Sequence, residues 1–350
     1  MTGRARGRGG APRGLAGSRA KKTISLALQG GGAHGAFTWG VLDALLEDGR
    51  LAIEAVTGAS AGAINAVVMV EGWLEGGAEA ARAQIETFWR RISLDGRLSE
   101  GQRTLLGGLL GYWDRNFWAD VFAHALSPYD TNPLNINPLR DAIDDLIDFG
   151  KVRACRDVKV FVAATNVWTG KVAIFRTAEL TADHLMASAC LPTVFQAVEI
   201  DGQPYWDGGY MGNPALFPLF YETVSDDILL VQINPVERRE TPRTAREIQN
   251  RLTEITFNGN LLRELRAIEF VTRLIDEGKL SPREYKRVLM HRIDGAGVLD
   301  EYRASSRLNT EWEFFLRLRD AGRATAQRWL EANYDELGAR ATLDLRAEVS

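Results

Sequence analysis

From Lys22 the chain alternates apolar positions (Ile24, Leu26, Leu28) with small or polar ones (Thr23, Ser25, Ala27), the period of two that predicts a β-strand over Lys22–Gln29. The strand runs into Gly30-Gly31-Gly32-Ala33-His34-Gly35. After this loop, Phe37, Val41, Leu42, Leu45 and Leu46 recur at helical spacing over Ala36–Asp48, with Gly49 as the stop. A second apolar run, Leu51–Val56, leads to Gly58-Ala59-Ser60-Ala61-Gly62, and a third, Ala63–Val70, follows. The order strand, glycine loop, helix, strand, serine turn, helix is a βαβ opening that places both loops at the carboxyl edge of a parallel sheet.

Beyond Pro235 the pattern becomes charged and helical. Thr241–Gly278 carries Ile248, Leu252, Ile255, Leu262, Leu265, Ile268 and Phe270 among Arg and Glu. Ser281-Pro282-Arg283-Glu284 reads as a capping-box helix start, Arg287–Met290 as a strand, and Asn309–Asn333 as a further helix with Trp312, Phe314, Phe315, Leu318, Trp329 and Leu330. These amphipathic helices are expected to dock on the core as an extension over residues 236–350; the alternative use of their apolar stripes is a homodimer or partner interface. Residues 101–139 are crowded with aromatic and leucine side chains, among them Leu105, Leu109, Trp113, Phe117, Trp118 and Tyr129. Core packing explains such a stripe; so does a lid or a lipid-facing surface.

The serine turn carries the candidate chemistry. G-x-S-x-G between a strand and a helix raises a hydroxyl out of a sharp turn at a helix N-terminus, and the four small neighbours of Ser60 (Gly58, Ala59, Ala61, Gly62) suit its strained backbone. The glycine loop would bring main-chain N–H groups of Gly30, Gly31, Gly32 and Ala33 beside Ser60 as an oxyanion hole. It also fits G-x-G-x-x-G through Gly30, Gly32 and Gly35. A dinucleotide site, however, needs an acidic residue ending the second strand, and that strand ends in Val56-Thr57-Gly58, with Glu54 too early. The third piece is Trp206-Asp207-Gly208-Gly209-Tyr210, a carboxylate presented at a strand end by a turn through Gly208 and Gly209.

In this order, the glycine loop, the serine pentapeptide and Asp207-Gly208-Gly209 resemble the patatin-like phospholipase family, as do Ala163-Ala164-Thr165-Asn166, Ala187-Ser188-Ala189-Cys190-Leu191-Pro192 and Asn213-Pro214. The resemblance covers roughly residues 23–235. It implies an α/β class, three-layer α/β/α fold around a mostly parallel sheet. It also implies a Ser60–Asp207 dyad acting on lipid acyl esters, with Gly31 and Gly32 as oxyanion donors. His34 departs from the family, whose members often carry arginine there.

A serine hydroxyl needs a base to take its proton, and Asp207 fills that role best if burial raises its pKa above the ordinary 3.9 or so. Four histidines, His34, His124, His184 and His291, keep a triad under consideration, because the order Ser60, Asp207, His291 is that of α/β-hydrolases. Within Leu289–Ile293, read as an edge segment, His291 is equally a packed structural residue.

At 350 residues, 45% hydrophobic and 25% charged, the chain has ample material for one large α/β core. Cys155 and Cys190 form no disulfide framework, and no HExxH, paired CxxC or EF-hand spacing occurs, so neither metal nor cofactor is expected. Residues 1–22 hold seven basic residues and no acid, so a net charge of −4 becomes −11 for residues 23–350. This tail lacks the apolar stretch of a secretory signal. It reads as a solvated, disordered extension, or as an attractor for anionic lipid. No run reaches membrane-spanning length. The expectations are a cytoplasmic protein, peripheral at the membrane if it touches one, with a lipid substrate and no nucleic-acid partner.

Overall fold

The computed structural model describes residues 21–94, 127–133, 135, 137–302, 306–307 and 309–349. The basic tail and the aromatic-rich stretch through residue 126 lie outside them, apart from Lys21 and Lys22. Among the described residues eight strands form one sheet: β1 (Lys22–Leu28), β2 (Leu51–Ala59), β3 (Lys159–Asn166), β4 (Val172–Arg176), β5 (Val198–Ile200), β6 (Gln203–Asp207), β7 (Asp227–Gln232) and β8 (Leu289–Asp294). Their order is β5-β6-β3-β2-β1-β7-β8, with β4 also on β3. The ladders β8-β7-β1-β2-β3 are parallel, while β4, β5 and β6 pair antiparallel. Both faces of a parallel sheet must be covered, which is why β1 and β7 are apolar or small almost throughout.

On one face, Ile24, Leu26 and Leu28 pack against helices α1 (Gly35–Asp48), α2 (Ala61–Ile92) and the C-terminal Trp312–Asn333. Ala27, Ile228 and Leu230 face the other way, onto Leu216, Leu219 and the helix Ala245–Asp276. The architecture is therefore three layers, α/β/α. Residues past Pro235 complete it: they add edge strand β8 and helices on both faces. Helix Trp312–Asn333 crosses α1 backbone to backbone, since a Cβ on Gly40 would lie 1.9 Å from Arg319 O and one on Gly322 would lie 2.1 Å from Phe37 O.

Several boundaries differ from the sequence reading. Helix Ala245–Asp276 starts four residues later than the periodicity suggests, because Thr244 caps it, its hydroxyl accepting Glu247 N–H at 3.2 Å. Ser281-Pro282 opens only a turn in which Glu284 and Tyr285 N–H donate to Ser281 O; the chain must re-enter the sheet at Leu289, and that pairing overrides the cap signal. Helix α2 is broken at Gly76–Gly77, where Gly77 has φ +71°. In the long helix, Leu265 and Ile268 are buried, whereas Ile248, Leu252, Ile255 and Phe270 are about half exposed. Among the described residues no helix is long and apolar enough to cross a membrane.

Candidate active site

Ser60 and Asp207 come together through the register of β3. Ala163 pairs with Ala59 of β2 on one flank and Ile174 of β4 on the other; the next residue, Ala164, pairs with Asp207 and Ala173. Strands β2 and β6 thus approach the same flank of β3 from opposite directions. Their carboxyl ends meet there, each delivering its functional side chain as it stops. Gly208 sits in the join, its missing Cβ 2.2 Å from Ala163 O and 3.1 Å from the Ala59 methyl.

Ser60 occupies the sharp turn that the sequence predicts, at φ 51° and ψ −126°, immediately before α2. Such a conformation costs on the order of 1–3 kcal/mol for a non-glycine residue. Its surroundings hold it in place. Ser60 N–H donates to Ser188 Oγ at 2.9 Å, Ser188 Oγ–H donates to Ala163 O at 2.6 Å, and Ile64 N–H donates to Ser60 O at 3.0 Å. The small flanks are required by close approach: a Cβ on Gly62 would stand 2.3 Å from Leu28 O, and one on Gly30 would stand 2.7 Å from Ser60 Cβ. Gly58 packs on the Gly62–Ala63 backbone, and the Ala61 methyl lies against Gly35.

Asp207 is 1% exposed. Its main chain is pinned by Asp207 N–H to Cys190 O and Thr165 Oγ1–H to Asp207 O, both 2.8 Å, and Gly209 N–H donates to Oδ1 at 2.6 Å. Oδ2 has no hydrogen-bond partner among the described residues. Burial pushes this carboxyl up to about 7, against the lowering influence of the Gly209 amide, the Ser60 hydroxyl and the Arg307 charge. The result is a buried carboxyl held up near neutral pH, with one oxygen unpaired among the described residues and the Ser60 hydroxyl among the groups that lower it.

The glycine loop is not uniformly available. Gly30 N–H donates to Asn213 Oδ1 at 2.6 Å, so Gly30 is not an oxyanion donor: its amide is spent on holding the loop. Gly31, Gly32 and Ala33 N–H donate to no described residue, and Gly32–His34 forms a single 3-10 turn leading into α1. His34 is buried at the loop's end, its Nε2 bonded to Ser306 Oγ at 2.7 Å. Burial and the charges of Arg307 and Arg238 push its pKa down to about 3, so it is a neutral imidazole at physiological pH. The positive charge beside the loop comes instead from Arg307, whose main-chain oxygen abuts Gly32.

The dinucleotide reading of the loop finds no support in Glu54. Its carboxylate accepts Val224 and Ser225 N–H, each at 2.8 Å, ahead of β7 at the opposite end of the sheet. The triad reading is also corrected. His291 Nε2 is bonded to Asp227 Oδ1 at 2.9 Å and Nδ1 to Thr342 Oγ1 at 2.9 Å, under Trp329, and Asp227 opens β7 at the end remote from Ser60. It is a packing histidine. Replacing His291 by alanine should cost about 2–4 kcal/mol of stability through the lost bonds and the cavity, while ester turnover per folded molecule stays within about twofold; a melting curve beside an active-site-titrated assay reads both. Cys155 and Cys190 are buried free thiols, and no group of three metal-ligating side chains exists among the described residues.

Ser188, Asn213, Asn234 and Gln29 are the site residues that sequence reasoning did not assign a role. Gln29 is fully buried beneath the loop, its Oε1 accepting Ile233 and Asn234 N–H at 2.9 Å each. The signals available for them are the family-like stretches that hold Ser188 and Asn213 and, for Gln29, a glutamine closing the first strand.

An alcohol lifted at a strand–helix turn beside unspent amide donors places this chain among enzymes of acyl transfer. Residues 26–220 match the patatin-like phospholipase family, so the chain belongs to that family and is a lipid hydrolase. No curated protein matches the chain. Among solved structures it is similar to VipD from Legionella pneumophila, with 15% identity and a TM-score of 0.41 over 89% of this chain and 67% of that one. It is also similar to the ExoU–SpcU complex of the Pseudomonas aeruginosa type III secretion system, with 15% identity and a TM-score of 0.37 over 90% of this chain and 52%, about half, of that one.

Proposed function

We propose that the chain hydrolyses acyl esters of phospholipids or lysophospholipids through a Ser60–Asp207 dyad and an acyl-serine intermediate. The observation that supports this reading is the head-on meeting of β2 and β6 on one flank of β3, where the strained Ser60 and the buried Asp207, whose Oδ2 has no partner among the described residues, follow the two strand ends. Ser60 Oγ attacks the ester carbonyl carbon as its proton passes to Asp207 Oδ2. The carbonyl oxygen, now an oxyanion, is met by the amides of Gly31, Gly32 and Ala33. Collapse breaks the ester C–O bond, and the departing alcohol takes the proton from Asp207. Water then attacks the acyl-serine with Asp207 again accepting a proton, and the second collapse frees the fatty acid and returns that proton to Ser60.

Two measurements test this. A fluorophosphonate probe should label Ser60, and mass spectrometry of products from a panel of phospholipids, lysophospholipids, acylglycerols and short esters should show fatty acid released from the first two. Release confined to short esters would move the enzyme to the non-phospholipid esterases; absence of labelling and of turnover would remove the dyad.

The pH profile is a third. Asp207 must be ionised to act as base, and burial holds its carboxyl up at about 7. The kcat/KM is therefore expected to plateau above that value and to fall tenfold per unit below it, to about one hundredth at pH 5. An ordinary carboxylate base would hold the plateau down to about pH 5, which is the contrary result.

A further inference from the structure

An oxyanion donor is useful only if its peptide faces the right way. Gly30 O accepts Asn234 Nδ2–H at 2.7 Å and, more weakly, Asn213 Nδ2–H at 3.4 Å. A trans peptide is planar, with its C=O and N–H pointing in opposite directions. Fixing the Gly30 carbonyl on these two side chains therefore aims Gly31 N–H away from them.

Asn234 is in turn oriented by Arg307. Its Oδ1 accepts Arg307 Nη2–H at 2.7 Å, and its Nδ2 donates to Gln29 Oε1 at 3.1 Å as well as to Gly30 O. A guanidinium has donors only, so it accepts just one end of the Asn234 amide, the oxygen, and this leaves the Nδ2 end for the Gly30 carbonyl. With the amide reversed, two oxygens would face each other and the peptide would lose its anchor. Arg307 is itself held under cover, its guanidinium over the Phe257 ring at 5.8 Å. The aromatic ring packs in turn on Tyr210, just past Asp207, with centroids 5.3 Å apart.

We propose that Arg307 and Asn234 are positioning residues: the relay Arg307 to Asn234 to Gly30 O locks the Gly30–Gly31 peptide with Gly31 N–H turned towards the oxyanion formed at Ser60. Neither side chain touches the reacting atoms. The proposal rests on the dyad reading above. It also gives a role to a residue 277 positions from Gly30 in the chain, supplied by the stretch beyond Pro235.

The test compares full-length wild type with Arg307→Met, Arg307→Lys and Asn234→Asp on a short-chain p-nitrophenyl ester, alongside fluorophosphonate labelling of Ser60 and a melting curve. Because the relay acts on the transition state, Arg307→Met should lower kcat about 10- to 100-fold with KM within about twofold, and labelling should slow in parallel. Arg307→Lys, which keeps a donor for Asn234 Oδ1, should recover part of the loss. Asn234→Asp keeps a partner for Arg307 but turns an acceptor on Gly30 O, so it should fall as far as Arg307→Met. The proposal is overturned if folded Arg307→Met and Asn234→Asp both keep kcat within twofold of wild type, or if the loss lies in KM. If Asn234→Asp does not fold, Arg307→Met against Arg307→Lys decides alone. A wild type that neither turns over nor labels would sink the dyad reading first, and is told apart by failing before any variant is compared.

Discussion

Ser60→Ala is expected to lower kcat on every acyl ester by about 10⁴-fold or more, because no other group of the site replaces the bond that the hydroxyl forms. The fold should be untouched. Alanine carries the same Cβ at φ 51° as serine, so the turn is no more strained, and the Ser60 N–H to Ser188 and Ile64 N–H to Ser60 O bonds involve only the main chain of residue 60. The substrate should still bind, so equilibrium binding of a lipid vesicle or short ester stays near wild type while turnover and fluorophosphonate labelling vanish. Retained turnover in this variant would place the nucleophile elsewhere and dissolve the roles given to Asp207 and the glycine loop together.

The opening half of the chain was legible because its signals are local. Alternation over Lys22–Leu28, the glycine run and the helical spacing of Phe37 to Leu46 each follow from neighbours in sequence, and the turn that strains Ser60 needs only its small flanks. Asp207 was legible as a strand-end carboxylate; what placed it beside Ser60, the shared flank of β3, depends on a pairing register that sequence does not carry. The availability of individual amides was hidden for the same reason. Gly30 and Gly31 look alike as letters, yet one N–H is taken by Asn213 and the other is not, a difference made by a side chain 183 positions away. The sequence around His291 fits a catalytic and a packed histidine alike, and only its bonds to Asp227 and Thr342 decide between them. The neutral state of His34 likewise follows from burial and from Arg307 and Arg238, which come from distant segments. Local pattern gave the opening elements and the strained turn at Ser60; long-range pairing set the register and the electrostatics.

Asp207→Asn should lose about 10⁴-fold in kcat and gain stability at the same time, a combination that a packing residue would not give. The amide keeps the shape, and its Oδ1 still accepts Gly209 N–H, but it takes no proton from Ser60. The stability gain follows from the pKa. In the folded protein burial holds the carboxyl up at about 7, above its value near 3.9 in the unfolded chain. The folded state therefore keeps a proton that the unfolded state releases, and this group's contribution to stability is present in full below pH 4 and is lost as pH rises to about 7. Asparagine has no charge to desolvate. Its advantage over wild type should be small at pH 4, grow across that window and level off above it, with a ceiling of ~4 kcal/mol for a shift of about three units at 1.36 kcal/mol each. Glu264, half-buried and likewise raised to about 7 while it accepts Leu216 and Phe217 N–H, keeps its own slope in both proteins, so only the difference between the two curves isolates Asp207. Chemical denaturation of wild type and Asp207→Asn from pH 4 to pH 8 measures that difference. Parallel curves would mean that the carboxyl is ordinary, and would remove the physical basis of the proposed dyad near neutral pH.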